Sequence, residues 1–225
     1  MSIFLYSCGE IKFIEMKINY LANGSLQVMS EGNKVFFTSD LHFCHENIIR
    51  FCKRPFKNKE EMEEKLVENW NNVVGEGDLV LNLGDYVFNN RKEWERITSR
   101  LNGRQILIMG NHDRKGFNSG FEKLFEHVYP MGVFAVIDDI KMYLTHCPMA
   151  TFDGMYRGEY STWNLYGHIH SGPNTQNGID VSKMKNFGWF TQYDVGVDNN
   201  GFTPISFDQV KGKITDQMLS LNLIK

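Results

Sequence analysis

Ile106-Leu107-Ile108-Met109-Gly110-Asn111-His112-Asp113 is the stretch on which the fold turns. Four apolar residues run into a glycine, and an amide, an imidazole and a carboxylate follow at once. A short apolar run closed by a turn residue reads as a buried strand. Gly110 lets the backbone turn tightly as it leaves that strand. The arrangement recurs along the chain. Val35–Thr38 runs into Ser39-Asp40-Leu41-His42, and residues 79–83 run into Gly84-Asp85. Residues 141–145 run into His146, and residues 163–166 into Gly167-His168-Ile169-His170.

Helical patterns lie between these strands. Asn58 and Glu61 form an approximate capping box, opening a helix with Met62, Leu66, Val67, Trp70, Val73 and Val74 at apolar helical spacing. Gly75 and Gly77 end it. A second helix near residues 91–101 places Trp94, Ile97 and Leu101 on one face, and residues 46–53 form a third. Residues 133–137 and 141–145 flank Asp138-Asp139 as a hairpin. Residues 193–197 and 202–207, around Asn199-Asn200-Gly201, read as a closing hairpin, and residues 1–33 as short strand-like pieces added at an edge. Strand–helix alternation early and hairpins late predict one α/β domain over residues 1–225, with a sheet parallel in part and antiparallel in part.

The 225 residues are 42% hydrophobic, enough for a sizeable core. A net charge of −3 provides no global positive field for long nucleic acid or an anionic membrane. No apolar run approaches the 18 residues of a membrane span, and the first 17 residues lack the pattern of a signal peptide. Cys8, Cys44, Cys52 and Cys147 include no C-x-x-C pair, which favours a reducing, cytoplasmic setting. No membrane partner and no long nucleic-acid partner is expected; oligomeric state is not legible.

Six of the seven histidines, His42, His45, His112, His146, His168 and His170, fall in or beside the strand-end motifs. Ligands of open α/β sheets bind at that edge. Alternate residues of an extended chain face one side, so Asp40 and His42 can address one site, as can His168 and His170. Each motif alone is an ordinary turn. Five in order, each after a strand-like run, point to a site that binds borderline divalent ions through imidazole, carboxylate and amide oxygen.

The ordered set Asp-x-His, Gly-Asp, Gly-Asn-His-Asp, His and Gly-His-x-His resembles that of the calcineurin-like metallophosphoesterases, from about Phe36 to Phe207. The segments Asp40-Leu-His-Phe-Cys-His-Glu-Asn-Ile-Ile-Arg50, Asp194-Val-Gly-Val-Asp198 and Pro204-Ile-Ser-Phe207 are similar to a bacterial and phage branch of it. The resemblance implies an α/β fold, a four-layer αββα sandwich with mixed β-sheets. It implies two divalent metal ions, manganese first, with iron, zinc, cobalt or nickel as alternatives. Asp40, His42 and His170 would hold the first metal; Asn111, His146 and His168 the second; Asp85 would bridge both. Hydroxide held between the ions would attack phosphorus in line. His112 would protonate the leaving oxygen or stabilise the transition state, with Asp113 holding its ring. The substrate implied is a small phosphodiester or nucleotide; the alternatives are a nuclease acting on short nucleic acid and a metal-free interaction scaffold. One departure stands out. Where the phosphoprotein-phosphatase branch reads Gly-Asp-x-x-Asp-Arg-Gly, this chain reads Gly84-Asp85-Tyr86-Val87-Phe88-Asn89-Asn90, against protein phosphatase activity of that type.

Four further residues have two readings each. His45 and Asn47, at the start of a helix, either touch substrate phosphate or cap the helix. Arg114 either meets phosphate or is a solvated loop residue. Arg157, and residues 171–193 with Lys183, Lys185, Trp189 and Phe190, form either a lid that selects substrate or ordinary surface. Cys44 and Cys147 adjoin candidate ligands and are assigned to packing.

Overall fold

The strands are, in order, β1 (Lys17–Tyr20), β2 (Leu26–Met29), β3 (Val35–Thr38), β4 (Leu79–Asn82), β5 (Arg104–Ile108), β6 (His127–Tyr129), β7 (Gly132–Ile137), β8 (Ile140–Thr145), β9 (Thr162–Tyr166), β10 (Gln192–Asp194) and β11 (Ile205–Ser206), and β3, β4, β5, β7, β8 and β9 form on the apolar runs. The helices are α1 (Glu46–Phe51), α2 (Lys59–Val73), α3 (Arg91–Thr98) and α4 (Phe207–Ser220). This computed structural model describes residues 16–114, 120–155, 162–171 and 189–224. No described helix is long and apolar enough to cross a membrane.

The strands make two mixed sheets, of order β1-β2-β7-β8-β9-β10 and β11-β3-β4-β5-β6. β3, β4, β5 and β6 run parallel, with Val35 opposite Leu79 and Leu79 opposite Arg104. β3 and β4 are buried on both faces, as central parallel strands are. Successive side chains therefore serve different cores. Phe37, Leu81 and Ile106 point between the sheets, against Leu26, Ala135, Leu144 and Leu165. Phe36, Val80 and Leu107 point the other way, onto Met62, Leu66 and Trp70 of α2 and Trp94 and Ile97 of α3.

Local chemistry sets the helix starts. The Asn58 side chain accepts the Glu61 N–H at 2.9 Å, while the Glu61 carboxylate reaches back to Lys57 N–H at 2.8 Å. α3 starts on Asn90, whose side chain accepts from Lys92 and Glu93. α4 carries a complete capping box, Ser206 with Gln209, and adds Val210, Ile214 and Met218 to the inter-sheet core.

Residues 133–137 and 141–145 do form a hairpin, with Asp138 and Asp139 at positive φ in its turn. The closing hairpin does not form. β10 pairs in parallel with β9, β11 pairs antiparallel with β3 in the other sheet, and Phe207 already belongs to α4. The intervening chain crosses between the sheets: Ser39 and Gly196 form a parallel bridge, and Val197 N–H donates to Ser39 O at 3.0 Å. This crossing stitches the two sheets together where β3 and β10 end.

Candidate functional site

The loops that follow β3 and β4 are zipped together by backbone. Asp40 N–H donates to Gly84 O, His42 N–H to Asp85 O and Phe43 N–H to Tyr86 O, each at 2.9 Å. A Cβ on Gly84 would overlap the Gly110 backbone nitrogen, and one on Gly167 would overlap Ser39 Oγ and Asp40 Oδ2. Gly84 also sits at φ +98°, the region glycine occupies freely. Within these turns Asp40, His42, Asp85, His168 and His170 hold φ of +58°, +51°, +54°, +71° and +47°. Such backbone costs about 1–3 kcal/mol per residue and concentrates where function demands a fixed geometry.

The side chains converge. Asp85 Oδ2 lies 3.5 Å from His42 Nε2 and 3.4 Å from His146 Nε2. Asp40 Oδ1 lies 3.7 Å from His170 Nε2 and 4.0 Å from His42 Nε2. Asp40, His42 and His170 each offer one ligand atom within 4.8 Å of the others, and so do Asp85, His146 and His168. Asn111 Oδ1 is 3.0 Å from His146 Nε2. Atoms bound to one ion at about 2.1 Å stand roughly 3–4 Å apart, so these groupings have the spacing of ligand sets. Asp40 Oδ1 and His42 Nε2 are buried and have no hydrogen-bond partner among the described residues. An unpaired buried polar group costs about 1–3 kcal/mol, and a cation between them satisfies both.

A second layer holds the rings. His146 Nδ1 donates to Leu83 O at 2.7 Å, which turns Nε2 inward. His170 Nδ1 meets Asp198 Oδ2 at 2.7 Å, and Arg54 clamps that carboxylate from behind. Asp194 accepts Gly196 N–H at 2.8 Å and the Ser171 hydroxyl, tying β10 to the His170 loop. Cys52, His170 and Asp198 also lie within ligand spacing, but Arg54 already occupies the Asp198 carboxylate.

The charges are those of a site built for cations. Burial, then the nearby Arg54 charge, holds His42 well below the usual imidazole range, so it is a neutral donor. Burial opposes protonation of His146, yet its bond to Asp85 and the Asp40 charge outweigh that and push it up to about 9. Burial likewise opposes protonation of His170, and the Asp198 bond outweighs it, raising the ring to about 11. Protons on these two rings offset carboxylate charge that a divalent ion also offsets.

Other predicted residues fall less simply. His112 lies beside the cluster, its Nε2 3.9 Å from Asp85 Oδ2 and its N–H on Asp85 Oδ1 at 3.0 Å. Asp113 does not hold the His112 ring. Its buried carboxylate accepts Gly110 N–H and Asp85 N–H at 2.8 Å and Tyr86 N–H at 3.1 Å, so it fixes the backbone of two ligand loops instead. Burial pushes that carboxyl up to about 6. His45 makes no cap bond; its Nδ1 is 3.3 Å from His42 Nδ1 and its ring stacks on Phe88. Asn47 is exposed on the first turn of α1. Arg114 is exposed and lines a cavity of about 270 Å³ with Met109, Pro130 and Met131. Arg157, Lys183 and Lys185 lie outside the described residues, and Phe190 packs against the inter-sheet core. Cys44 is half-buried against Glu93, but Cys147 is exposed rather than packed.

The family model of the calcineurin-like phosphoesterases matches residues 33–197. This chain belongs to that family. An uncharacterised protein of Methanocaldococcus jannaschii is 34% identical over 190 residues, 80% of this chain and 94% of its own length. The Gene 66 protein of Mycobacterium phage L5 is 33% identical over 84 residues, 36% of this chain and 40% of its own. A protein of unknown function from Aquifex aeolicus superposes with a TM-score of 0.63 at 25% identity, over 80% of this chain and 99% of that one. Membership of the calcineurin-like phosphoesterases assigns metal-dependent phosphoester hydrolysis in general.

Arg54 and Phe88 are residues of this calcineurin-like phosphoesterase that sequence reasoning misses. Arg54 stands between the first histidine motif and the capping box with no pattern around it. Phe88 shows one signal, its place in the segment that departs from the phosphoprotein-phosphatase pattern.

Proposed function

We propose that the protein is a dinuclear-metal-dependent phosphodiesterase acting on small phosphodiesters or nucleotides. One observation carries the reading: Asp85 Oδ2, 3.5 Å from His42 Nε2 and 3.4 Å from His146 Nε2, joins two groups of potential ligands, Asp40/His42/His170 and Asp85/His146/His168, and the first contains two buried atoms without a hydrogen-bond partner among the described residues. Asp40, His42 and His170 would hold one cation and Asn111, His146 and His168 the other, with Asp85 shared; manganese suits this mixture of imidazole, carboxylate and amide. Bound there, divalent ions supply the charge that neutralises phosphoryl oxygens and makes water acidic enough to attack phosphorus.

The remaining work falls to the chain's own side chains. His112, partly exposed beside Asp85, donates a proton from Nε2 to the departing oxygen. Asp113 keeps the Asp85 and Gly110 turns fixed through three backbone hydrogen bonds. The Arg54–Asp198–His170 chain orients the His170 ring.

The test is a screen of the manganese-loaded protein against para-nitrophenyl phosphate, bis-para-nitrophenyl phosphate, cyclic mononucleotides and short oligonucleotides, with metal content measured in parallel. Turnover of the diesters, lost with most of the metal in Asp85→Asn, is the expected result. Two metals and near-normal turnover in Asp85→Asn would sink the site assignment. Substoichiometric metal without turnover of any ester would point to the metal-free scaffold.

A further inference from the structure

The strongest feature that the reaction leaves unused is an exposed aromatic wall beside the ligand cluster. Phe88 follows Asp85 by three residues. The Val87–Phe43 bridge and the Phe88 N–H bond to Phe43 O at 2.8 Å fix it to the first ligand loop. Its ring stacks on His45, centroids 4.1 Å apart and planes 15° apart, and meets His112 edge-on at 5.4 Å. Those are its ring contacts among the described residues, and 41% of Phe88 is exposed. Beyond His45 stands Phe51, 48% exposed, with the Arg50 guanidinium 5.3 Å over its ring.

Exposed aromatic surface beside a phosphate site is unfavourable in water and becomes favourable when a flat π-system covers it. His45 stacks on Phe88 from one side, and the exposed part of the residue is open to a ligand. Through His112 and His45 the ring stands one side chain away from both Asp85 and His42, so a molecule with phosphate at those ligands can lay a planar group on Phe88. A nucleoside unites both parts: a phosphoryl group at one end and a stackable ring at the other. Where the phosphoprotein-phosphatase branch carries a carboxylate, this chain has the aromatic side chain.

We propose that Phe88, backed by His45, is a nucleobase platform that selects nucleotide esters over simple alkyl esters. The inference deepens the phosphodiesterase reading and rests on it for the position of the phosphate. Stacking on any base makes the preference for nucleosides broad rather than base-specific.

The test compares binding with turnover. In equilibrium titrations, the manganese-loaded wild type is expected to bind adenosine 5′-monophosphate roughly ten-fold or more tightly than inorganic phosphate. Phe88→Ala should bring that ratio towards one, and Phe88→Trp should keep it. An unchanged ratio in Phe88→Ala, or a wild type without the preference, overturns the platform. Hydrolysis of thymidine 5′-(para-nitrophenyl) phosphate and ethyl para-nitrophenyl phosphate, which share a leaving group, then reads KM against kcat. The nucleoside preference should lie in KM and vanish in Phe88→Ala; equal losses on both esters also overturn the platform. If the wild type hydrolyses neither ester while the binding ratio still collapses in Phe88→Ala, the hydrolytic reading falls and the platform stands.

Discussion

Arg54 grips Asp198 with two hydrogen bonds, Nε to Oδ1 at 2.9 Å and Nη2 to Oδ2 at 2.8 Å, and both side chains are almost wholly shielded from water. The same guanidinium donates to Asp40 O at 2.6 Å and Leu41 O at 3.0 Å. One buried cation therefore holds both the carboxylate that orients His170 and the backbone that presents Asp40 and His42.

Replacing Arg54 with Met should be among the most damaging single changes. It leaves the buried Asp198 carboxylate with His170 alone and unpairs two carbonyls, so a loss of about 3 kcal/mol in urea unfolding is expected. Arg54→Lys keeps the charge but not the planar fork and should fall between Met and wild type. A Met variant within about 1 kcal/mol of wild type would show that the pair contributes little.

His112→Ala separates proton transfer from metal retention. The variant should keep its metal and lose roughly 10²–10⁴-fold in rate, the usual contribution of a positioned acid. The loss should be smaller for para-nitrophenolate, which departs readily without a proton, than for a ribose alkoxide. Loss of metal would make His112 a ligand; an equal penalty on both leaving groups would assign it to charge stabilisation.

Gly84→Ala should disrupt the site from its backbone. The added methyl overlaps Gly110 N, and φ of +98° strains any L-residue there. Destabilisation of about 3 kcal/mol or more is expected, alongside loss of metal affinity. Gly201→Ala is the control, because φ there is +61° yet no atom lies within 4 Å of the new Cβ. Equal penalties would show that φ alone, and not the contact with the second ligand loop, sets the cost.

The metal-free protein should lose stability as pH rises. His146 is raised to about 9 in the fold, above the ordinary imidazole value of about 6.5. The stability from its proton is therefore complete below pH 6.5 and lost as pH passes through 9. Metal binding displaces that proton, so metal affinity should rise over the same window. Urea midpoints at pH 6.5 and 9, with and without manganese, measure both; a metal-free midpoint that rises with pH contradicts the assignment.

Much of this was legible in advance because ligand chemistry is local. Asp40-x-His42, Gly84-Asp85 and Gly167-His168-x-His170 each state a residue type, a spacing and a preceding strand, and the fold sets them at one sheet edge. The rest depended on partners distant in sequence. Arg54 and Asp198 are 144 residues apart, and nothing near Arg54 marks it as buried. Asp113 adjoins His112 in sequence, yet its carboxylate is captured by backbone N–H groups from the β4 loop. Residues 193–207 satisfy a hairpin pattern locally, but β10 and β11 find better partners in separate sheets. Helix α4 is a missed signal: Ser206 and Gln209 form a capping box, and Val210, Ile214 and Met218 recur at four-residue spacing.

Because the candidate ligands run from Asp40 to His170 and the His170 orienter is Asp198, the whole constellation needs the span from Asp40 to Asp198. On the ribosome, Asp40 and His42 emerge first, and Asp198 follows after roughly ten seconds or more at ordinary synthesis rates. Until His170 is made a metal ion meets only part of the candidate ligand set, and until Asp198 follows the His170 ring lacks the carboxylate that orients it. A complete candidate site is therefore expected only once strands from both sheets have closed around the Ser39–Gly196 crossing.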